Sequence, residues 1–328
     1  MVKDQLITED YAIYNSDVMY FMPSLESESI DFSVYSPPFA GLYNYSSSPN
    51  DFSNCDTKED FIKQYDFLVK EIARVTKPGR ITAVHCTNIK DSKTENMWNL
   101  PAKIVEIHNK YGFDWKDQIT IWKEPLKVRM RTMVRSLMHK MIVEDSTNCF
   151  TAMPDYVLVF KKKGENKVPV VHPYGLTHYA GETPFLKDHI EKYGDYETFK
   201  RKWQDFNGDP KENKFSHITW QRYASSVWDD IRIDNILKYK EGKDEDDEKH
   251  VHPLQLDVID RCVELWSNPG EVCFTPFAGV GSEVYSPVSM GRKAIGVELK
   301  ESYYKQMIKN LATAKDRFED KKQKGLFD

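Results

Sequence analysis

The chain has 328 residues, 40% hydrophobic and 30% charged, an ordinary globular composition that excludes disordered, collagenous and low-complexity classes. Its formal charge is −5, so binding to nucleic acid by bulk charge alone is excluded, while a local basic groove is not. No window approaches about 18 consecutive apolar residues, and the N-terminal stretch carries acids where a secretory signal requires an apolar run. Neither a membrane span nor a leader is expected. Five cysteines, Cys55, Cys86, Cys149, Cys262 and Cys273, are scattered and form no C-x-x-C pair. Reduced thiols of a cytoplasmic protein are expected, not a disulfide framework or a cysteine zinc site.

The elements alternate strand and helix, which predicts an α/β fold. Ile30–Tyr35 reads as a strand and stops at Ser36-Pro37-Pro38. Phe61, Tyr65, Leu68, Val69 and Ile72 recur at helical spacing, and Lys77-Pro78-Gly79 ends that helix. Ile81–Cys86 reads as a buried strand, Ile104–His108 as part of a helix, and Asp117–Trp122 and Tyr156–Phe160 as two further strands. From about Lys163 to His250 the pattern degrades. This stretch is polar and dotted with aromatics, and it ends in the acidic run Asp244–Glu248, as expected of an insertion and a solvated linker. Regularity returns with a helix over Leu254–Trp266, a strand over Val272–Thr275 and a helix around Glu283–Met290. The strand Ala294–Glu298 and the helix Tyr303–Ala314 complete the pattern, and the charged tail Lys315–Asp328 is expected to fray.

Two constellations carry chemistry. In Phe274-Thr275-Pro276-Phe277-Ala278-Gly279-Val280-Gly281-Ser282 a strand runs into a glycine turn that opens a helix. The next strand ends in the acid of Gly296-Val297-Glu298. This is the layout of an adenosine-cofactor site: glycines admit close backbone approach, and the acid accepts hydrogen bonds from ribose hydroxyls. It is neither the dinucleotide G-x-G-x-x-G nor a P-loop, because the third glycine and the lysine are missing. The second constellation is Ser36-Pro37-Pro38-Phe39, directly after a strand. Two prolines hold the chain extended and remove two N–H donors. Carbonyls and a hydroxyl remain as acceptors for a planar, donor-rich group such as an exocyclic amine, and Phe39 offers a stacking face.

In this order the two motifs resemble the β class of DNA amino-methyltransferases, the N4-cytosine/N6-adenine family that uses S-adenosylmethionine. Further segments resemble that class: Asn15-Ser16-Asp17 with Ser29-Ile30-Asp31, Glu71 to Gly79, Ile121-Trp122-Lys123, Asp155 to Lys161, and His252-Pro253-Leu254-Gln255. The likeness covers roughly residues 13–163 and 250–312. Thr275 stands where the family commonly has Asp. Ser36 opens the tetrapeptide where adenine enzymes more often have Asp or Asn, which tilts the expectation slightly toward cytosine.

The resemblance implies a Rossmann-like, doubly wound and mostly parallel sheet, seven-stranded with one antiparallel strand and circularly permuted in motif order. It divides the chain into a catalytic half at residues 1–163, an inserted target-recognition region with acidic linker at 164–249, and a cofactor half with charged tail at 250–328. The implied reaction moves a methyl group from S-adenosylmethionine, leaving S-adenosylhomocysteine, to the amino group of a flipped-out base. Ser36, Pro37, Pro38 and Phe39 are the catalytic candidates. Asp17, His252, Pro253, Gln255, Thr275, Phe277, Ala278, Gly279, Gly281, Ser282 and Glu298 are the cofactor candidates. Lys123, Lys127, Arg129, Arg131, Arg135 and Lys140 are expected to track DNA phosphates. The nine histidines form no ligand set; His250 and His252 are the one metal-like pair, and no metal is expected. The partner is double-stranded DNA, with a homodimer and a cognate restriction enzyme left open, in a cytoplasmic protein of bacterial or phage origin. The alternatives are a methyltransferase acting on RNA or a protein amide, and an inactive cofactor- or DNA-binding module.

Overall fold

The computed structural model describes residues 2–38, 55, 57–90, 96–132, 134–182, 208–242 and 253–314. The strands are β1 (Asp4–Ile7), β2 (Tyr11–Asn15), β3 (Ile30–Tyr35), β4 (Thr76–Thr87), β5 (Ile89–Lys90), β6 (Met97–Trp98), β7 (Phe113–Ile121), β8 (Asp155–Lys162), β9 (Val227–Trp228), β10 (Val272–Thr275) and β11 (Lys293–Glu298). The helices are α1 (Val18–Phe21), α2 (Lys58–Val75), α3 (Leu100–Lys110), α4 (Pro125–Thr132), α5 (His139–Glu144), α6 (Lys214–Tyr223), α7 (Leu256–Trp266), α8 (Ser282–Ser289) and α9 (Glu301–Leu311).

Local chemistry sets the boundaries. All six residues of β3 are buried, as expected of a strand covered on both faces. Thr57 caps α2 by accepting the Asp60 N–H at 3.1 Å, and Glu59 and Asp60 suit the positive end of the helix dipole. The apolar face of α2 is the expected one, with Phe61, Tyr65, Leu68, Val69 and Ile72 all buried. Each such side chain contributes about 1.5–3 kcal/mol relative to exposure.

Nine strands form one sheet in the order β1-β2-β11-β10-β3-β4-β8-β7-β9, and β5 pairs with β6 apart from it. The run β2, β11, β10, β3, β4 is parallel. β8 lies antiparallel between β4 and β7. One face of the sheet carries Tyr35, Val84, Cys86, Leu158 and Phe160 against α2 and α3. The other carries Phe32, Val34, Ala83, Ile119, Ile121, Val157 and Val159 against α7. This is the doubly wound architecture.

Two edge strands go beyond the expected seven. β1 is antiparallel to β2 and makes a second reversed strand. Its four residues are mostly exposed, so it lacks the alternation that reveals a half-buried strand. β9 has two residues and pairs in parallel with β7. It comes from the stretch expected to be an insertion, and the buried Trp228 joins the core beneath the sheet. In the same stretch Leu176, Tyr179, Phe215, Ile218 and Tyr223 form a small cluster that reaches Leu265 of α7. The acidic run Asp244–Glu248 and the Lys200–Lys202 and Trp203 segment lie outside the described residues. Among the described residues no helix is long and apolar enough to cross a membrane.

Candidate functional site

The parallel strands β2, β11, β10, β3 and β4 all end at one edge of the sheet, where β8 begins. Between β10 and β3 the winding reverses, since β3 leads through α2 to β4 on one side and β10 through α8 to β11 on the other. Such a switch point leaves a crevice at the carboxyl ends of the strands. The glycine turn follows β10 and the Ser-Pro-Pro segment follows β3, so both predicted motifs open into the same crevice. β10 and β3 pair directly, with Phe274 opposite Ser33. The Tyr35 and Phe277 rings, with centroids 6.2 Å apart, join the two motifs.

On the cofactor side, Gly279 and Gly281 have φ of +53° and +98°. L side chains rarely occupy that region. A Cβ at Gly281 would also stand 2.7 Å from Met307 Cγ on α9. Glu298 closes the turn. Its Oε2 accepts the Gly279 N–H at 2.8 Å and its Oε1 accepts the Lys300 N–H at 2.8 Å. Asn15 Nδ2 donates to the Glu298 and Leu299 carbonyls at 2.9 and 3.1 Å, and Ser16 N–H to the Glu298 carbonyl at 3.0 Å. Asp17 caps α1 by accepting the Met19 N–H at 2.8 Å. Gln255 stands at the N-terminus of α7, preceded by Pro253. Leu256 in its first turn shares a cluster with Ala278 and Val280. His252 lies outside the described residues.

Three buried polar atoms here, Thr275 Oγ1, Ser282 Oγ and Asn15 Oδ1, have no hydrogen-bond partner. Buried polar groups are normally satisfied, and a polar ligand would supply the missing partners. Glu298 can accept further hydrogen bonds from a diol, since each carboxylate oxygen has two lone pairs. The residues present therefore fit an adenosine-bearing cofactor. Glu283, in the first turn of α8, is buried, and desolvation together with the nearby Glu298 charge pushes its carboxyl up to about 8.

On the catalytic side, Pro37 is buried and Ser36 and Pro38 are half-buried, while Phe39 lies outside the described residues. Ser36 Oγ is 3.1 Å from His85 Nδ1. His85 Nε2 is 3.2 Å from Asp155 Oδ2. Asp155 Oδ1 accepts from Lys123 Nζ at 2.6 Å. Strand alternation explains the alignment, because Ser36, His85, Asp155 and Lys123 continue the face that carries Val34, Ala83, Val157 and Ile121. They thus extend in a row across the ends of β3, β4, β8 and β7. Burial would raise the Asp155 carboxyl, but the Lys123 ammonium and His85 outweigh it and hold it well below the usual carboxylate range. Sequence reasoning gave His85 and Asp155 no role. Their one signal was position: a histidine closing the apolar run of β4 and an acid opening that of β8.

The six basic candidates divide. Lys123 turns into the site. Arg135 and Lys140 lie 3.9 and 2.9 Å from Glu144 on α5. Lys127 is exposed and Arg129 half-exposed on α4; Arg131 belongs to the same helix, its side chain being outside the described residues. Of the aromatics in the stretch between the two halves, Trp220 is exposed, whereas Tyr223 and Trp228 are buried. Among the described residues no three His, Cys, Asp or Glu side chains form a metal-binding group.

A match to the family described as DNA methylase spans residues 30–310. The DNA adenine methyltransferase YhdJ of Escherichia coli K12 is 22% identical over 93% of this chain and 84% of its own. The type II methyltransferase M.BglII of Bacillus subtilis is 22% identical over 89% of this chain and 66% of its own. Among solved structures, TTHA0409 of Thermus thermophilus, described as a DNA modification methylase and complexed with S-adenosyl-L-methionine, superposes with a TM-score of 0.58 at 18% identity. That match covers 93% of this chain and 96% of its own. The cytosine-N4-specific PvuII DNA methyltransferase gives a TM-score of 0.58 at 12% identity over 98% and 97%. These structures share the Rossmann-like fold seen here, and with the match over residues 30–310 the chain belongs to the DNA methylase family of N6/N4 amino-methyltransferases.

Proposed function

We propose that the protein transfers a methyl group from S-adenosylmethionine to the exocyclic amino group of a base in DNA. The observation that carries this reading is the shared crevice, in which an acceptor-rich Ser36-Pro37-Pro38 segment lies beside a glycine turn closed by Glu298. Glu298 holds the ribose hydroxyls, Phe277 to Gly281 line the adenosine, and Thr275, Ser282 and Asn15 satisfy their buried atoms on its polar groups. Asp17, Pro253 and Gln255 border the same pocket. When bound, the cofactor supplies an electrophilic methyl group on a positively charged sulfur, whose bond electrons leave with the sulfur.

The protein's part is to present the amine. The nitrogen of cytosine or adenine is a weak nucleophile because its lone pair is delocalised into the ring. The Ser36 hydroxyl oxygen and the Pro37 carbonyl accept its two hydrogens and draw it toward tetrahedral geometry, and alignment supplies the rest. To reach this segment the base leaves the duplex, at a cost of a few kcal/mol in lost stacking and pairing. Lys127, Arg129, Arg131, Arg135 and Lys140 recover this through phosphate contacts.

The Ser at position 36 favours N4 of cytosine, and the adenine enzyme among the relatives keeps N6 of adenine as the second reading. Nucleoside mass spectrometry of DNA from an expressing host tests both. N4-methylcytosine is expected, absent with Ser36→Ala; N6-methyladenine would reassign the base. No new methylated nucleoside from soluble, cofactor-binding protein would overturn the reading in favour of an RNA or protein acceptor or a binding module.

A further inference from the structure

Beyond the acceptor pair, the site holds a connected row that orienting an amine does not use: Ser36, His85, Asp155 and Lys123. His85 and Asp155 are 7% and 6% exposed, so the row lies in the wall of the crevice and not on its rim. With Asp155 ionised beside Lys123, its oxygens can only accept. A hydrogen on the ring nitrogen facing it, Nε2 at 3.2 Å, fits that arrangement. With the hydrogen there, Nδ1 is an acceptor for the Ser36 O–H, 3.1 Å away.

Resting on the proposed reaction, we infer that His85 is a positioning residue that takes up, through the Ser36 hydroxyl, the proton the target amine must release, with Asp155 fixing its tautomer and Lys123 holding Asp155 in place. Methylation leaves the amino nitrogen with a fourth bond and a positive charge. One N–H bond breaks toward Ser36 Oγ, the Ser36 proton moves to His85 Nδ1, and the imidazolium returns that proton to solvent. The charged groups facing His85 are Asp155 from β8 and Lys123 after β7, and the buried Cys86 thiol adjoins it in β4. α7 brings Asp257, Asp260 and Arg261 to the same face of the sheet, where they meet Arg232, His178 and Asp230 in turn.

The test measures kcat and KM for methylation of genomic DNA at neutral pH in the full chain, alongside His85→Gln and Asp155→Asn. In both variants kcat drops about 100-fold, and KM for DNA changes by less than about threefold. A His85→Gln enzyme within about threefold of wild-type kcat would overturn the inference. The ring tautomer is read separately by nitrogen-15 NMR of the wild-type protein without cofactor. A hydrogen on Nε2 supports the relay, and a hydrogen on Nδ1 sinks it. If wild-type protein methylates no DNA, the proposed reaction fails on its own, and the NMR result still decides the relay.

Discussion

Glu298 and Gly279 are joined by a 2.8 Å hydrogen bond from the glycine N–H to Oε2, which ties the end of β11 to the turn between β10 and α8. The second carboxylate oxygen holds the Lys300 N–H, so one side chain fixes both lips of the proposed cofactor pocket. Glu298→Gln replaces one acceptor with an NH2 group that opposes a backbone N–H. A hydrogen bond to a charged group contributes about 1.5–3 kcal/mol. The expected result is a rise of about 10- to 100-fold in the Kd for S-adenosylhomocysteine by titration calorimetry. An unchanged Kd would remove Glu298 from the cofactor contacts.

The two glycines of the turn separate stability from binding. At Gly281 a Cβ meets Met307 and the backbone is left-handed. Gly281→Ala should cost about 1–3 kcal/mol in denaturant unfolding. At Gly279 the added Cβ meets nothing within 4 Å, and the proposed reaction places the cofactor against this turn. Gly279→Ala should therefore cost about 1–2 kcal/mol for the left-handed backbone alone, yet weaken cofactor binding more than its stability loss implies. Equal binding losses in the two variants would contradict this assignment.

Arg261 on α7 is fully buried and binds the stretch between the two halves to the main sheet. Its Nη2 lies 2.8 Å from Asp230 Oδ1 and its Nε donates to the Ala180 carbonyl at 2.8 Å. The Tyr223, Trp228 and Tyr179 rings surround the guanidinium at 4.7, 5.0 and 5.6 Å. Arg261→Met leaves Asp230 without this buried partner, and breaking such a pair costs about 3–5 kcal/mol. Loss on that scale is expected in chemical denaturation, with limited proteolysis cutting first between Gly164 and Asp230. A loss below about 1 kcal/mol would mean that Arg222, 3.5 Å from Asp230, suffices as the partner.

How much was legible follows from where each signal sits. β3, β10 and the buried face of α2 were readable because each is a local pattern of apolar residues closed by proline, glycine or a capping residue. The glycine turn and Glu298 were readable because chemistry and backbone requirement coincide in one short segment. His85 and Asp155 were not, since 70 residues of chain separate two side chains that only strand order brings together. The integration of β9 was hidden because two residues carry no periodicity, and the register of Ile121 with Trp228 is a tertiary fact. The inward turn of Lys123 was hidden for the same reason: a basic run looks solvated until a buried acid is placed beside one of its members.

Glu283 gives the protein a stability profile that a carboxylate in water would not. Burial and the Glu298 charge raise its carboxyl to about 8, against about 4.3 in the unfolded chain. A raised value means that the folded state binds the proton more tightly. Its contribution to stability is complete below about pH 4.3 and is lost progressively as pH rises toward 8, an effect on the order of a few kcal/mol. Asp155 acts in the opposite direction, since its lowered carboxyl contributes stability above about pH 4 that is lost on further acidification. The two windows adjoin and do not overlap, so Glu283→Gln isolates the first. The wild-type protein should lose stability between pH 5 and 8 in urea unfolding, and the Gln variant should lose much less while keeping the acid-side decline from Asp155. Parallel wild-type and variant curves over that interval would show that Glu283 ionises normally and that water reaches the first turn of α8.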